Sequence, residues 1–499
     1  MISPERPRWT LPDLFSAAGL SLDSSLSSGW ISQVTDDSRA VRPGAMFVAV
    51  RGNQADGHRF LTQAMERGAR VIVVEEAFSA PAPVISIKVE STRAVLGRLL
   101  HAFYGFPSLH LSVVGVTGTK GKTTVTWLIQ YLLESCGIRC GLMGTICTRW
   151  ADKVQAVDNT TPGSVILQRT LSEMVADGMQ ACAMEVSSHA LDQRRTDGIH
   201  WACGVFTNLD PEHLDYHGTM TDYRNAKRRL FEALPREAAA VLHRGDPSWE
   251  EMARVVKGRV LTYGIGSGAD FEARDIRVFS DRTLFELAVP GLRYPVESSL
   301  IGLHNVENLL AAFAAAQSLN IPLEWAAQAA AAFPGVPGRL ERIDCGQPFP
   351  VFVDYAHTDG ALQRVLTQLR RITCRKILTV FGCGGDRDRA KRPRMGRVAA
   401  ELSDRVVVTS DNPRSEDPAR IAGEIVAGMK GIPTQVEVIL DRAEAIRSAL
   451  ESANERWLVL IAGKGHESRQ IFADGSVPFD DRSVVREILG EIRIAGAGV

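Results

Sequence analysis

The decapeptide Gly115-Val116-Thr117-Gly118-Thr119-Lys120-Gly121-Lys122-Thr123-Thr124 constrains this chain more than any other segment. It joins an apolar run, Leu111–Thr117, that reads as a buried strand to a stretch, Lys122–Ser135, that reads as a helix closed by Cys136-Gly137. A glycine-rich turn in that position lets backbone N–H groups curl around an anion, and the helix N-terminus adds partial positive charge. The reading is therefore a nucleotide site. Gly118, Thr119, Lys120, Gly121 and Thr124 line the phosphates, Lys122 reaches the β- and γ-phosphates of the nucleotide, and the Thr123 hydroxyl faces Mg²⁺. The glycines fall at 115, 118 and 121 with Val at 116, so the loop is a variant of the strict P-loop spacing.

At 499 residues the chain has room for about three domains of ~150 residues each. Tyr104-Gly105-Phe106-Pro107 breaks a helical pattern over Thr92–Phe103, and Pro334-Gly335-Val336-Pro337-Gly338 reads as a linker. These breaks divide the chain into residues 1–108, 109–337 and 338–499. The first block mixes short strands, Met46–Val50 and Val71–Val74, with helices over Phe60–Arg67 and Thr92–Phe103. The second alternates strands such as Ala181–Val186 and Ala202–Thr207 with helices, which argues for a mostly parallel sheet. Short alternating segments over 270–300 predict a small antiparallel patch there, followed by alanine-rich helices near Asn308–Ser318 and Leu323–Phe333. The third repeats strand and helix, with strands at 351–353, 376–381, 405–409, 435–439 and 457–462, and reads as a doubly wound α/β unit.

Composition excludes several classes of function. With 57 Lys+Arg against 58 Asp+Glu the net charge is −1, so no whole-protein field draws the chain onto nucleic acid or an acidic membrane. No apolar run approaches the ~18 residues that span a bilayer, and Met1–Arg8 lacks the apolar core of a signal peptide. Eight scattered cysteines without paired spacing read as reduced thiols, which places the chain in a cytoplasm.

Further blocks extend the phosphate loop into a family resemblance. Glu185-Val186-Ser187-Ser188-His189, Asn208 with His213-Leu214-Asp215-Tyr216-His217, and His304-Asn305-Val306-Glu307-Asn308 are three of them. Gly338-Arg339, Asp354-Tyr355-Ala356-His357, Gly382–Asp388 and Gly463-Lys464-Gly465-His466-Glu467 are the others. Together with the loop they resemble the Mur ligases, ATP-dependent amide-forming enzymes that build the peptide of peptidoglycan. The nearest branch adds the third residue of that peptide. The resemblance implies three α/β domains: a small N-terminal domain for the UDP-sugar, a central P-loop-type ATPase domain, and a C-terminal Rossmann-like domain for the amino acid. It also implies an acyl phosphate, formed when the D-Glu γ-carboxylate of UDP-N-acetylmuramoyl-L-Ala-D-Glu attacks ATP and resolved by an incoming amine.

The resemblance assigns residues one by one. Glu185 and His213 match Mg²⁺ ligands, and Lys227 matches a lysine that is carbamylated in the family and then shares in holding metal. With Lys122 they make the catalytic set, and with Thr123 the metal set. His304, Asn305, Arg339, Asp354 and His357 match positions that close the nucleotide site. Ser38, Asn53, Gln54 and Ala55 match UDP contacts, while Asn159, Thr160, Thr161, Ser187, Gln193 and Arg195 match contacts to the sugar and peptide. Asp411-Asn412-Pro413-Arg414, with Arg387, Gly463 and Glu467, matches the meso-diaminopimelate pocket. A guanidinium there suits the second carboxylate that separates diaminopimelate from lysine, and Asp411 suits its ammonium. Lys120 departs from the family, where many members carry Asn. The implied partners are ATP, the UDP-sugar dipeptide and diaminopimelate, acting on a monomer with neither nucleic acid nor membrane insertion.

Two rivals remain at this level. Folylpolyglutamate synthetase shares the loop and the acyl-phosphate logic, but Asn159-Thr160-Thr161 and Asp411–Arg414 count against it. A nucleotide-binding assembly protein without turnover is disfavoured by Glu185, His213 and Lys227. The basic run from Arg387 to Arg397 reads as a solvated face, since its aspartates and lack of interleaved aromatics do not suit nucleic acid.

Overall fold

Parallel strands joined by crossover helices account for most of the chain. The computed structural model describes residues 9–23, 26, 29–52 and 55–496. It divides into two compact units: residues up to 276 with 285–297 and 304–333, and a second of 277–284, 298–303 and 334 onward.

The first unit opens with a four-stranded parallel sheet, in order Gln33–Thr35, Ala45–Val48, Ala69–Val74 and Ile85–Lys88. Helix Thr92–Phe103 packs on it through Val95, Leu96, Leu99, Leu100 and Phe103, one apolar face at three- and four-residue spacing. The central sheet of the unit is larger. Strand Ser112–Thr117 lies between Ala181–Glu185 and Trp201–Phe206, all parallel. Cys140–Met143 extends the sheet on one side, and Ala239–His243 with Arg259–Ile265 extends it on the other. Strands buried on both faces read as continuous apolar runs, which is why Val113, Val114, Val116, Val205 and Phe206 are all fully covered. Phe271–Val278, Thr283–Val289 and Leu292–Ser298 follow one another at the sheet edge, where the alternating segments predict a patch.

Helix Lys122–Ser135 buries Val125, Leu128, Ile129, Leu132 and Leu133, and Gly137 ends it in a left-handed conformation as its sequence predicts. Two boundaries differ from the periodicity. The helix expected near Asn308 begins at Leu303, because its polar first turn blurs the apolar spacing. The next helix, Leu323–Ala329, tightens into a 3₁₀ turn at Ala330–Ala332 before Pro334.

The second unit is a six-stranded sheet in order Glu341–Ile343, Val351–Asp354, Trp457–Ala462, Lys376–Phe381, Arg405–Val408 and Gln435–Val438. All neighbours are parallel except the first pair. Ligands in such sheets bind outside the carboxyl ends of the strands. The segments Tyr355–His357, Gly382–Asp388, Thr409–Arg414 and Gly463–Glu467 all emerge at that edge. Among the described residues no helix is long and apolar enough to cross a membrane.

The join between the first unit's two sheets depends on Gly97. A Cβ at that helical position would overlap the Asp197 carbonyl and come within 3.0 Å of the Asp197 Cβ. Gly97→Ala should therefore destabilise the protein by about 1–3 kcal/mol, as overpacking usually does. A thermal unfolding midpoint unchanged from wild type would show that this seam gives way at no cost.

Candidate active site

The phosphate loop is laced to the segment that follows strand Trp201–Phe206. Thr119 N–H donates to the Asn208 carbonyl at 2.9 Å, Lys120 N–H donates to Asn208 Oδ1 at 2.9 Å, and Thr207 Oγ1 donates to the Lys120 carbonyl at 2.5 Å. Gly118 sits at φ +149°, and a Cβ there would overlap the Thr207 hydroxyl. The N-cap of helix Lys122–Ser135 is Gly121, which has no side chain to cap it, and the dipole polarises this helix start positively. Lys122 Nζ donates to the carbonyls of Gly118 at 2.9 Å and Thr119 at 3.0 Å. Thr124, in the first turn of this helix, is half-buried.

Glu185 anchors the other wall. It ends strand Ala181–Glu185 and is 1% exposed, so its carboxylate needs donors. Thr123 Oγ1 supplies one at 3.0 Å, and Thr145 supplies its N–H at 2.8 Å and its hydroxyl at 3.1 Å. Thr160 Oγ1 lies 3.1 Å from the Thr145 hydroxyl, and Thr161 Oγ1 donates to the Glu185 carbonyl at 2.8 Å. The chain continues through Ser187 N–H onto Thr161 Oγ1 at 3.0 Å. Arg195 donates to the Thr161 carbonyl at 3.0 Å and grips Gln193 Oε1 at 2.7 and 3.0 Å. Seven of the expected residues (Thr123, Thr160, Thr161, Glu185, Ser187, Gln193 and Arg195) thus form one connected network. Asn159 stands exposed beside it.

Lys227 is 1% exposed, with Nζ donating to the Gly118 carbonyl at 2.8 Å and lying 4.4 Å from the centre of the Tyr223 ring. Burial, and then the charge of Lys122, hold its ammonium well below the ordinary lysine range. His213 takes a left-handed backbone, φ +57°, and its ring meets His189 edge-on at 4.8 Å. Tyr216 and His217 pack on His189 in turn, at 4.2 and 5.4 Å. Burial lowers the pKa of His213 and brings His189 down to about 4. Among the described residues no three His, Cys, Asp or Glu side chains converge as a metal cluster. The oxygen pair of Thr123 and Glu185 nevertheless has the chemistry a hard cation prefers. Asn305 is buried and accepts from Asn308 Nδ2 at 3.0 Å, while His304 is exposed.

Of the expected UDP contacts, Ser38 donates to Gln63 Oε1 at 2.6 Å, Ala55 is exposed, and Asn53 and Gln54 lie outside the described residues. Burial raises the pKa of Asp36, and the charge of Arg195 opposes that rise.

The second unit carries its own cluster. Asp354 accepts the N–H groups of Leu340 at 2.6 Å and Ala356 at 2.8 Å, and burial raises its pKa. The Arg339 guanidinium lies 4.9 Å from the Tyr355 ring, which also touches the rings of His357 and His466. Asn412 Nδ2 donates to Glu467 Oε2 at 2.8 Å, binding the Asp411–Arg414 loop to Gly463–Glu467. Pro413 is buried, and Arg414, at φ +53°, donates from Nη1 to the Gly385 carbonyl at 2.8 Å. Arg387 is exposed on the neighbouring loop.

The basic run is not one solvated face. Arg392 is fully buried, donating to Glu416 at 2.7 and 3.0 Å and to Glu424 at 2.8 Å. Arg389 pairs with Glu424, and Arg394 pairs with Asp359 and Asp388.

Thr145, Tyr223, His189, Tyr216 and Lys464 join these clusters without having been singled out in sequence. His189 and Tyr216 lie inside the quoted blocks, and Lys464 inside Gly463–Glu467. Thr145 and Tyr223 sit in no motif.

Three family descriptions match the chain: "Mur ligase family, catalytic domain" over residues 31–104, "Mur ligase middle domain" over 116–316 and "Mur ligase, glutamate ligase domain" over 338–465. The chain belongs to the Mur ligase family. These are ATP-dependent amide ligases, and residues 116–124 of the phosphate loop of this Mur ligase fall within the middle-domain match. It is 45% identical to the UDP-N-acetylmuramoyl-L-alanyl-D-glutamate–2,6-diaminopimelate ligase of Geobacillus thermodenitrificans over 463 residues, 92% of this chain and 94% of that one. The ligase of the same name from Listeria monocytogenes is 40% identical over 91% of this chain and 94% of its own. A solved structure with that ligase's title covers 98% of this chain and 100% of its own at 31% identity, with a TM-score of 0.75. Mycobacterium tuberculosis folylpolyglutamate synthase, at 18% identity and a TM-score of 0.60, shares the fold alone.

The Arg392 cluster makes a pH prediction. Its arginines hold Glu416 and Glu424 down at about 2, against an ordinary glutamate value of 4.5. Below 4.5 the unfolded chain binds protons that the folded carboxylates refuse, so this contribution is complete above 4.5 and fades as pH falls toward 2. Arg392→Met should lower the urea midpoint at pH 6 and lose less than wild type between pH 5 and 3. Parallel losses in the two proteins would show that the cluster does not govern acid lability.

Proposed function

We propose that this Mur ligase joins meso-2,6-diaminopimelate to the D-Glu γ-carboxylate of UDP-N-acetylmuramoyl-L-Ala-D-Glu, consuming ATP and releasing ADP and phosphate, in peptidoglycan synthesis. The observation that carries this reading is the Asp411-Asn412-Pro413-Arg414 loop. It is locked to Gly463–Glu467 in a chain 45% identical to a ligase bearing that name. Its reduced, mostly buried cysteines suit a cytoplasmic enzyme, and we take one chain as the active unit.

The chemistry has two steps. A γ-carboxylate oxygen attacks the γ-phosphorus of ATP and ADP leaves; the amine nitrogen then attacks the acyl carbon, phosphate leaves, and the amine gives up a proton. Two anions must meet in the first step, so cationic groups and N–H donors aimed at the phosphates dominate the barrier. We assign Lys122 and the loop residues Gly118–Thr124 to that task, with His304, Asn305, Arg339, Asp354 and His357 to the remainder of the nucleotide. Thr123 and Glu185, with His213 and a carbamylated Lys227, would hold Mg²⁺. Bound there, the ion would neutralise phosphate charge as a Lewis acid.

The burial of Lys227 supports carbamylation there. A neutral amine is the form that adds carbon dioxide, losing one proton as the N–C bond forms, and burial beside Lys122 favours that neutral form. Thr160, Thr161, Ser187, Gln193 and Arg195 offer neutral hydrogen bonds and one guanidinium to the sugar peptide, with Asn159 at their edge. Ser38, Asn53, Gln54 and Ala55 are assigned to the uridine diphosphate.

Lys227→Ala should nearly abolish ADP release, and a short carboxylic acid should restore part of it by filling the vacated space. Full activity without rescue would remove Lys227 from the mechanism.

Amino-acid choice tests the function itself. L-Lysine leaves Arg414 and Arg387 without a carboxylate partner, and losing one member of a charge pair costs about 2–5 kcal/mol, or tens- to thousands-fold in specificity. ADP release with the UDP-sugar dipeptide and a panel of amino acids should favour meso-diaminopimelate. Arg414→Ala should raise the KM for that amino acid far more than the KM for ATP. Preference for lysine or ornithine at saturating ATP would overturn the assignment of this loop.

A further inference from the structure

Arg442 opens helix Arg442–Glu451 and Asp481 opens helix Asp481–Gly496. Both side chains are fully buried, and the guanidinium grips the carboxylate through two bonds of 2.7 Å. A pair that only neutralised itself would be complete at that point. Arg442 makes two more donations, from Nη1 to the Ser410 carbonyl at 3.2 Å and from Nη2 to the Ala462 carbonyl at 3.1 Å. Ser410 precedes Asp411, and Ala462 precedes Gly463. The strands that end there, Arg405–Val408 and Trp457–Ala462, are not neighbours, because Lys376–Phe381 runs between them. No ladder hydrogen bond therefore sets the spacing of the two loops. Side chains do, and one guanidinium holds both strand ends at once.

Lys464, also fully buried, adds a second tie. Its ammonium donates to Asn412 Oδ1 at 3.1 Å, Glu467 Oε2 at 3.0 Å and the Arg469 carbonyl at 2.6 Å. The buried Asp411 carboxylate feels both cations, which oppose the upward pull of burial on its pKa.

Resting on the reading of these loops as the amino-acid pocket, we infer that Arg442, held by Asp481, is a positioning residue for amino-acid recognition. Together with the Asn412–Glu467 and Lys464 bonds, it fixes the separation of Asp411–Arg414 from Gly463–Glu467. It thereby sets the KM for the amino acid and has no share in the phosphate loop, which belongs to the other unit.

The test uses the full chain. Removing one partner would strand a buried charge, whereas Arg442→Met combined with Asp481→Leu removes both charges and keeps the volume filled. The double variant should unfold at a temperature near that of wild type. Its KM for meso-diaminopimelate should rise roughly tenfold to hundredfold, as expected when supporting groups shift a binding site by about an ångström. Its KM for ATP, and acyl-phosphate formation in the absence of amino acid, should stay within about twofold of wild type. Arg442→Lys, which keeps the charge and loses the fork, should fall between the two. An unchanged amino-acid KM, or a joint rise of both KM values with a falling kcat, would overturn the inference in favour of a purely structural pair.

Hydrogen exchange of the wild-type protein decides the matter if the double variant fails to fold. Meso-diaminopimelate should slow exchange together at residues 410–414, 442–446 and 462–467, and protection confined to 411–414 would count against a shared tether. Arg414→Ala, run in parallel, separates the two levels. If it leaves the amino-acid KM unchanged, the pocket reading itself falls and this inference with it. If it raises that KM while the double variant does not, only the role of Arg442 is lost.

Discussion

A carboxylate buried at the end of a β-strand must find donors, and the way Glu185 finds them organises the first unit. Its partners come from the start of the phosphate-loop helix and from the turn at Thr145, and its own carbonyl holds Thr161. Each bond by itself contributes little beyond its exchange with water, but leaving the carboxylate unsatisfied at 1% exposure would cost far more. The same bonds therefore register three separate loops against one another. The residues assigned to phosphate and to sugar peptide share that anchor, so a shift in one loop is felt by the others.

The second unit solves a related problem with the opposite sign of charge. Its strand-end loops are polar, and three buried cations hold them: Arg392 through Glu416 and Glu424, Arg442 through Asp481, and Lys464 through Glu467 and Asn412. Each cation also reaches backbone carbonyls, of Gly384, of Ser410 and Ala462, and of Arg469. Arginine suits two of these places because its planar fork serves a carboxylate and a carbonyl at once. Buried ion pairs add little net stability, but they penalise every arrangement that breaks them, which fits a site that must hold several loops in one geometry.

Legibility in the sequence followed the range of the interaction. The strand–loop–helix at 112–135 depends on glycine positions and an apolar period within two dozen residues, and it folds as those local rules require. The strand-end positions of Glu185, Asp354 and Asp411 were also readable, because polar residues that interrupt an apolar run mark where a strand leaves the sheet. Strands Gln33–Thr35 and Thr148–Trp150 were not readable, since three residues carry too little alternation to stand out. The basic run at 387–397 read as a solvated face because the glutamates that absorb it, Glu416 and Glu424, lie more than twenty residues further on.

The sequence alone determined the α/β class and the glycine-rich turn between strand and helix, since these rest on local periodicity and on turn chemistry that is intrinsic to the residues. Only the tertiary structure decided which polar groups satisfy one another. The Thr119–Tyr223 contact spans 104 residues, Thr123–Glu185 spans 62 and Arg442–Asp481 spans 39. Nothing in either partner's neighbourhood announces the other. A hydrogen bond across such a distance exists only after each unit has packed its own sheets and helices around it. There, burial turns each unpaired polar group into a penalty that a specific partner must remove.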